Sequence, residues 1–360
     1  MATTFKTLTP KDIVSTRNLL HEAIPLTGAI VSGTYAGENV ENFSHGMFQA
    51  VYDYPYLSSS ANHVLDLTAG YSSNSALSAA ANTQNAKKIN IYNEMAQVLV
   101  GFDENNTIRR FDEDGDFVST ATKVDDAYFI NFARLLTKDE IKKGSFTLSL
   151  GASASYAEPF GDGTTTGGII NLVDKSGSAG YKVNSPAGEY GILYATGSKL
   201  AASKVDGSGY VPAGLLYYQA GVAVVSASVF SSLLTNGEVT GAAAGNNMLE
   251  ELTGSAISSS CDAFRHRIYN LSFNNTTELN STVFFCRINH DEFNYSANPT
   301  YTDSNSKIRV KDVANDVPVT YITTVGLYSP DNELLAVAKL SEPIKKDPTT
   351  ELTLRVRLDY

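Results

Sequence analysis

The chain has 360 residues, 42% of them hydrophobic and 18% charged, with a formal net charge of −11 and a pI near 5.0. A balance this acidic excludes general binding to phosphate backbones and the polybasic attachment that draws proteins to anionic membranes. Two cysteines, Cys261 and Cys286, are too few for a disulfide framework, and the length suits two or three domains with cores of their own.

Tyr (20) and Phe (16) are plentiful, Trp is absent, and Gly, Ser, Thr and Asn fill the gaps between apolar runs. That mixture favours many short strands joined by polar turns. The expected fold is α+β and mainly β: antiparallel sheets, a sandwich-like C-terminal part, and a few short helices in the N-terminal part. Three parts are expected: an α+β domain over 1–150, a glycine-rich β insertion or middle domain over 151–245, and an antiparallel β domain over 246–360 ending in a terminal strand.

The opening MATTFKTLTPKD has no apolar stretch of the kind a secretory signal needs. Thr9, Pro10 and Asp12 have the spacing of a capped helix start. Ile13, Val14, Leu20 and Ala23 add a partial apolar face, so a helix is expected as far as Pro25. GAIVSGTY and HVLDLTAGY read as strands, with the aromatic SHGMFQAVYDYPYL between them. A second helix is expected from Lys87 to Val100, with Ile91, Met95, Val98 and Leu99 at helical spacing and Gly101 as its left-handed cap. AYFINFARLL and FTLSLGA read as strands, and TKDEIKKG between them has capping-box spacing from Thr137 to Glu140.

Past Gly151, FGDGTTTGG, DKSGSAG and DGSG are turn chemistry. GILYATG and GLLYYQAG resemble each other and, with VAVVSASVF, suggest adjacent strands. VAVVSASVF is too short for a membrane span, and no stretch reaches the roughly 20 apolar residues a span needs. A short helix is expected near Asn247–Leu252. RHRIYNLSF and STVFFCRI flank NNTTELN, which reads as a hairpin with a longer loop. The C-terminal run reads as a meander: Thr320–Tyr328, the turn SPDNE, a return over Leu334–Leu340, then a last strand. In that strand Leu352, Leu354, Val356 and Leu358 face one way, and Thr353, Arg355, Arg357 and Asp359 the other. If it forms an edge, its arginines guard against promiscuous pairing.

No motif singles out a reaction. The histidines, His21, His45, His63, His266 and His290, lack metal-ligand spacing, and strand alternation is expected to separate His63 from Asp66. His290, Asp291 and Glu292 read as a solvated turn. DEDGD, Asp112–Asp116, has Gly115 at the fourth position where a calcium loop has glycine at its sixth, so an acidic turn is the better reading. GxSxG and GxxxxGK[ST] do not occur, and no carboxylate pair stands out for glycoside hydrolysis. No catalytic residue, metal or cofactor is expected, and the chain reads as a non-enzyme. The paired cations Arg265 and Arg267, and Lys345 and Lys346, read as solvated surface charge. Cys286 in VFFCRI reads as a small buried hydrophobe, and a bridge to Cys261 stays open; the usage fits a reducing cytoplasm.

What remains is aromatic. VYDYPYL and FNYSANPTY are polar–aromatic mixtures whose rings either cover the protein's own core or offer contact area to a partner. The candidate assembly residues are Tyr52, Tyr54, Tyr56, Phe293, Tyr295, Tyr301, Arg355 and Arg357.

Several long stretches together carry a resemblance: LLHEAIPLTGAIVSGTY, SHGMFQAVYDYPYLSSSANH, KKINIYNEMAQVLVG, RHRIYNLSFNNTTELNST, FNYSANPTY, and the block from VTYITTVGLY to VRLDY. They resemble virion structural proteins of contractile-tailed, myovirus-type bacteriophages, especially those of marine cyanobacteria. The resemblance covers most of 1–150 and 260–360, is least over the middle, and carries no catalytic residue. It implies a non-enzymatic structural component of the virion, in the tail or baseplate, assembled in the cytoplasm of the bacterial host. Its implied partners are other virion proteins and copies of itself. A neck, collar or capsid-surface position is the alternative within that class. A carbohydrate-binding or depolymerising tail protein is the alternative outside it, disfavoured by the lack of Trp.

Overall fold

The structure is a computed structural model and describes residues 5–22, 37–118, 123–161, 168–235, 237, 239–242, 246–296, 300–305, 313 and 315–360. It is α+β and mainly β, with 40% strand, 16% helix and antiparallel sheets. The first strands in chain order are β1 (Ile13–Glu22), β2 (Val40–Asn42), β3 (Gln49–Tyr52), β4 (His63–Tyr71), β5 (Phe111–Asp112), β6 (Lys123–Val124), β7 (Asp126–Phe132), β8 (Glu140–Ile141) and β9 (Thr147–Gly151). They continue as β10 (Ile169–Val173), β11 (Tyr190–Thr196), β12 (Val211–Tyr217), β13 (Val222–Ser226), β14 (Ile268–Ser272), β15 (Asn275–Ile288), β16 (Thr320–Tyr328), β17 (Leu334–Lys346) and β18 (Leu352–Asp359). The helices are α1 (Asn85–Leu99), α2 (Arg134–Thr137), α3 (Gly177–Gly180), α4 (Met248–Gly254) and α5 (Ile257–His266). None among the described residues is long and apolar enough to cross a membrane.

The chain divides into two compact units: Leu20–Thr277, and Met1–Leu19 with Glu278–Tyr360. This differs from a division at 150 and 245, and strand pairing gives the reason. The larger unit is built on one ten-stranded sheet ordered β14-β9-β10-β11-β12-β13-β7-β4-β3-β2. β13 pairs β7, with Val224 opposite Phe129, so the middle segment is continuous with the strands that precede it. β11 and β12 are neighbours, as their similar sequences suggest. β13 is buried on both faces, which is why VAVVS is an unbroken apolar run rather than an alternation. The buried hydrophobic cluster runs from Val51 to Phe273, entirely inside this unit.

α1 packs against β4 at Gly70, where a Cβ would sit 2.5 Å from the Lys88 carbonyl oxygen; only glycine permits that approach. The buried side of α1 is Lys88, Ile91, Tyr92, Ala96 and Leu99, whereas Val98 is exposed. Lys88 Nζ donates to the Leu252 and Ser255 carbonyls at 2.5 and 2.7 Å, tying α1 to the junction of α4 and α5. Burial pulls its pKa down to about 8. α4 lies where expected, with Asn247 and Glu250 closing a reciprocal capping box.

Other local expectations are overturned. The cap at Thr9 forms, its hydroxyl donating to Asp12 Oδ2 at 2.6 Å, but it supports only a 3-10 turn, Pro10–Asp12. The β-branched Ile13, Val14 and Thr16 that follow enter β1 instead of a helix. TKDEIKKG is no helix: Thr137 closes α2, and Glu140 and Ile141 pair as β8 with Thr276 and Asn275. RHRIYNLSF and STVFFCRI are no hairpin, because β14 pairs β9 and residues 275–280 of NNTTELN belong to β15 itself. GAIVSGTY, residues 28–35, lies outside the described residues.

The smaller unit contains the order β1-β15-β18 and a two-stranded sheet of β16 and β17. The expected meander is therefore split: β16 and β17 form its hairpin, while β18 pairs with β15, from Ile288 opposite Leu352 to Ser281 opposite Asp359. That register puts Leu352, Leu354, Val356 and Leu358 on the same face as Ile288, Cys286, Phe284 and Thr282. The alternation of β18 follows the sequence reading residue for residue. Tyr360 N–H donates to the Asn280 carbonyl at 2.9 Å and its carbonyl accepts from Asn280 N–H at 3.0 Å, so the ladder continues through Tyr360. Arg17 pairs with Glu278 at 2.5 Å, and Asp12 with Arg287. Cys286 is half-buried, not fully buried as expected; both it and the buried Cys261 are free thiols.

Candidate assembly surfaces

The candidate residues fall in two groups, one in each unit. In the larger unit Tyr52, at the end of β3, donates from its hydroxyl to Glu41 Oε2 at 3.0 Å. Its ring lies 6.2 Å from that of Tyr56 and 5.5 Å from that of His63, and Tyr54 is 57% exposed. The pairing of β3 with β4 shifts register between Val51 and Tyr52, where Val64 is the extra residue. That irregularity overturns the expected separation of His63 from Asp66, whose Nε2 and Oδ1 are 2.8 Å apart.

In the smaller unit Phe293, Tyr295 and Tyr301 sit on a loop at the base of the β16–β17 hairpin. Phe293 has φ +54°, outside the range that most side chains favour, and its carbonyl accepts from the Thr320 hydroxyl at 2.6 Å. Tyr295 and Tyr301 meet edge to face at 5.6 Å, and the Tyr301 hydroxyl donates to the Val319 carbonyl. Lys346, expected at the surface, is fully buried here; its Nζ donates to the His290 carbonyl at 3.1 Å, Asn294 Oδ1 at 2.6 Å and the Asp347 carbonyl at 2.8 Å. These three aromatic residues thus build the base of the hairpin while keeping part of their rings exposed. Arg355 and Arg357 lie on the exposed side of β18, where Arg357 Nε donates to Asp359 Oδ1 at 2.6 Å and Nη2 to Ser281 Oγ at 3.0 Å.

The surface that sequence reading missed is the hairpin shaft. Apart from Thr320 and Lys346 at its base, no residue of β16 or β17 is fully buried: Ile322, Val325, Leu327, Ala336, Ala338 and Ile344 make one half-buried face, and the other face is exposed. Tyr321, Leu335 and Val337 are 63%, 68% and 56% exposed. Phe5 adds an edge-on contact to Tyr328 at 4.9 Å. β17 also runs six residues beyond the expected Leu340, through Pro343, because the pairing is irregular between Ile322 and Thr324 and accommodates the proline there. The apolar side chains on the exposed face were not legible, because the composition of these strands is that of ordinary half-buried ones.

Asp112, Asp114 and Asp116 place carboxylate oxygens within 4.8 Å of one another, the one metal-like grouping among the described residues. Their oxygens serve the turn: Asp114, Asp116 and Val118 N–H groups donate to the Asp two residues before at 3.2, 3.1 and 2.8 Å, and Lys123 pairs with Asp112. Beside them a cleft of about 390 Å³ includes Arg109, Arg110, Phe117 and Lys123 in its lining. Arg110 pairs with Asp125 at 2.9 Å, and Arg109 lies 5.4 Å over the Phe117 ring.

Glu113 is half-buried in the acidic turn; burial, then the charges of Asp112 and Asp114, push its pKa up to about 7. A carboxyl raised in the folded state contributes stability that is fully present below its ordinary value of 4.5 and lost as pH rises through about 7. Glu113→Gln is expected to raise the Tm at about pH 8 and leave it unchanged at about pH 4. Equal shifts at both pH values, read by thermal unfolding, would contradict this.

Comparison with protein-family models, curated proteins and solved structures finds no match to this chain.

Proposed function

We propose that the chain is a non-enzymatic structural subunit whose smaller unit completes its packing against partners. One observation carries the reading. Among the described residues of that unit, the buried apolar side chains are Val283, Ile288 and Val319, and none of its residues joins the hydrophobic cluster. Ordering a residue costs roughly 1–2 kcal/mol of backbone entropy, and apolar burial returns about 25 cal/mol per Å². A unit that orders β15 through β18 with so little of its apolar surface buried needs a surface from outside. Two-stranded hairpins are marginal alone in water, and sheets with open apolar faces mark interaction sites.

The resemblance to virion proteins of contractile-tailed bacteriophages supports placing this assembly in the tail or baseplate. Other virion proteins and copies of the chain would then cover the hairpin, the outer side of β18 and the tyrosines of both groups. The test is hydrogen exchange on the whole chain, which separates a smaller unit that borrows its packing from one that is stable by itself.

A further inference from the structure

We infer that the outer edge of β16 pairs antiparallel with the same edge of a second copy, joining two hairpins into a four-stranded sheet. The inference rests on the assembly reading above and names the partner of one edge. Among the described residues the sheet contains only β16 and β17, so the strand TYITTVGLY has one side of its ladder unmatched by any other strand. A row of open N–H and C=O groups is a template for pairing, and proteins guard such edges with charge, proline or bulges. The other edges here are guarded. β17 carries Lys339, Glu342, Pro343 and Lys345; β18 carries Arg355, Arg357 and Asp359; β1 carries Arg17. Among the strands of the smaller unit β16 alone carries neither charge nor proline, over nine residues rich in β-branched and aromatic side chains. An unguarded edge of that kind is tolerated only where pairing is its use.

The lack of charge also selects the partner. Foreign partners are chosen at an interface largely by complementary charge, and β16 offers none. Antiparallel pairing with itself is two-fold symmetric, so one strand supplies both halves and no like charges meet. The register that overlaps the whole strand centres on Thr324, setting Thr320 opposite Tyr328, Tyr321 opposite Leu327 and Ile322 opposite Gly326. Four strands meet the minimum for a stable sheet, which two do not.

Thr324 is exposed, so charge can be placed there without disturbing the fold. Association of the full-length chain is measured by sedimentation for the wild type, Thr324→Lys, Thr324→Glu and an equal mixture of the two variants. Like charges on the axis should weaken association at least about tenfold for each variant alone, and the mixture should restore it. Association unchanged in both variants overturns the inference and leaves the assembly reading standing. Loss in both variants without recovery in the mixture also overturns it. A wild-type chain that stays monomeric while its smaller unit is fully protected from exchange overturns both.

Discussion

A chain truncated before Leu352 is expected to keep its larger unit and lose its smaller one. β18 supplies Leu352, Leu354, Val356 and Leu358 to the apolar face it shares with β15, all half-buried. Full burial of such a side chain is worth about 1.5–3 kcal/mol, so half-burial of all of them amounts to roughly 4 kcal/mol. That is close to the whole stability of a small domain. Truncation also frees one full side of the β15 ladder and removes the hydrogen bonds between Tyr360 and Asn280. At a concentration where the intact chain assembles and resists cleavage, limited proteolysis should cut the truncated chain after about residue 278 while leaving the ten-stranded sheet resistant, and the truncated chain should fail to assemble. A truncated chain with unchanged resistance and normal assembly would show that β18 anchors nothing.

Arg267→Met should be the most damaging single substitution in the larger unit. Sequence reading takes Arg267 as surface charge, yet its side chain is fully buried. Its Nη1 donates to the Gly151 and Ser153 carbonyls at 2.9 and 3.0 Å, and Nη2 donates to the Thr240 carbonyl at 2.8 Å. Burial lowers its pKa to about 10, so it is still charged at neutral pH. Methionine fills much of the volume but leaves those carbonyls without their donors. Hydrogen bonds to a charged group contribute about 1.5–3 kcal/mol each, partly offset by relief of a desolvated cation, so a net loss of about 3 kcal/mol is expected. For a unit of this size that lowers Tm by roughly 6–12 °C. Arg267→Lys, which reaches fewer of the carbonyls, should lose less. A methionine variant as stable as the wild type would mean that the carbonyls find other donors.

Local periodicity carried much of the fold. The alternation in β18, the apolar run of β13, and the Asn247 to Glu250 cap were legible because each depends on neighbours within a few residues. The expected first helix does not form because the β-branched Ile13, Val14 and Thr16 outweigh a sound cap. Pairing was the larger loss. β15 and β18 meet across more than sixty residues, and nothing local in VFFCRI indicates LRVRL as its partner. The burial of Arg267 and Lys346 was hidden for the same reason: what holds each cation is a set of backbone carbonyls, and carbonyls leave no trace in sequence. Of the candidate surface, the sequence points to the tyrosines and the β18 arginines but not to the exposed face of the hairpin. TYITTVGLY reads as an ordinary strand until its neighbours among the described residues are known.

The central claim is that the smaller unit borrows its packing, and hydrogen exchange on the full-length chain tests it most directly. The dilute monomer should show fast exchange over 278–360 beside slow exchange over the ten-stranded sheet, and the assembled protein should show slow exchange in both. Slow exchange over 278–360 in the dilute monomer, unchanged on assembly, would contradict the account.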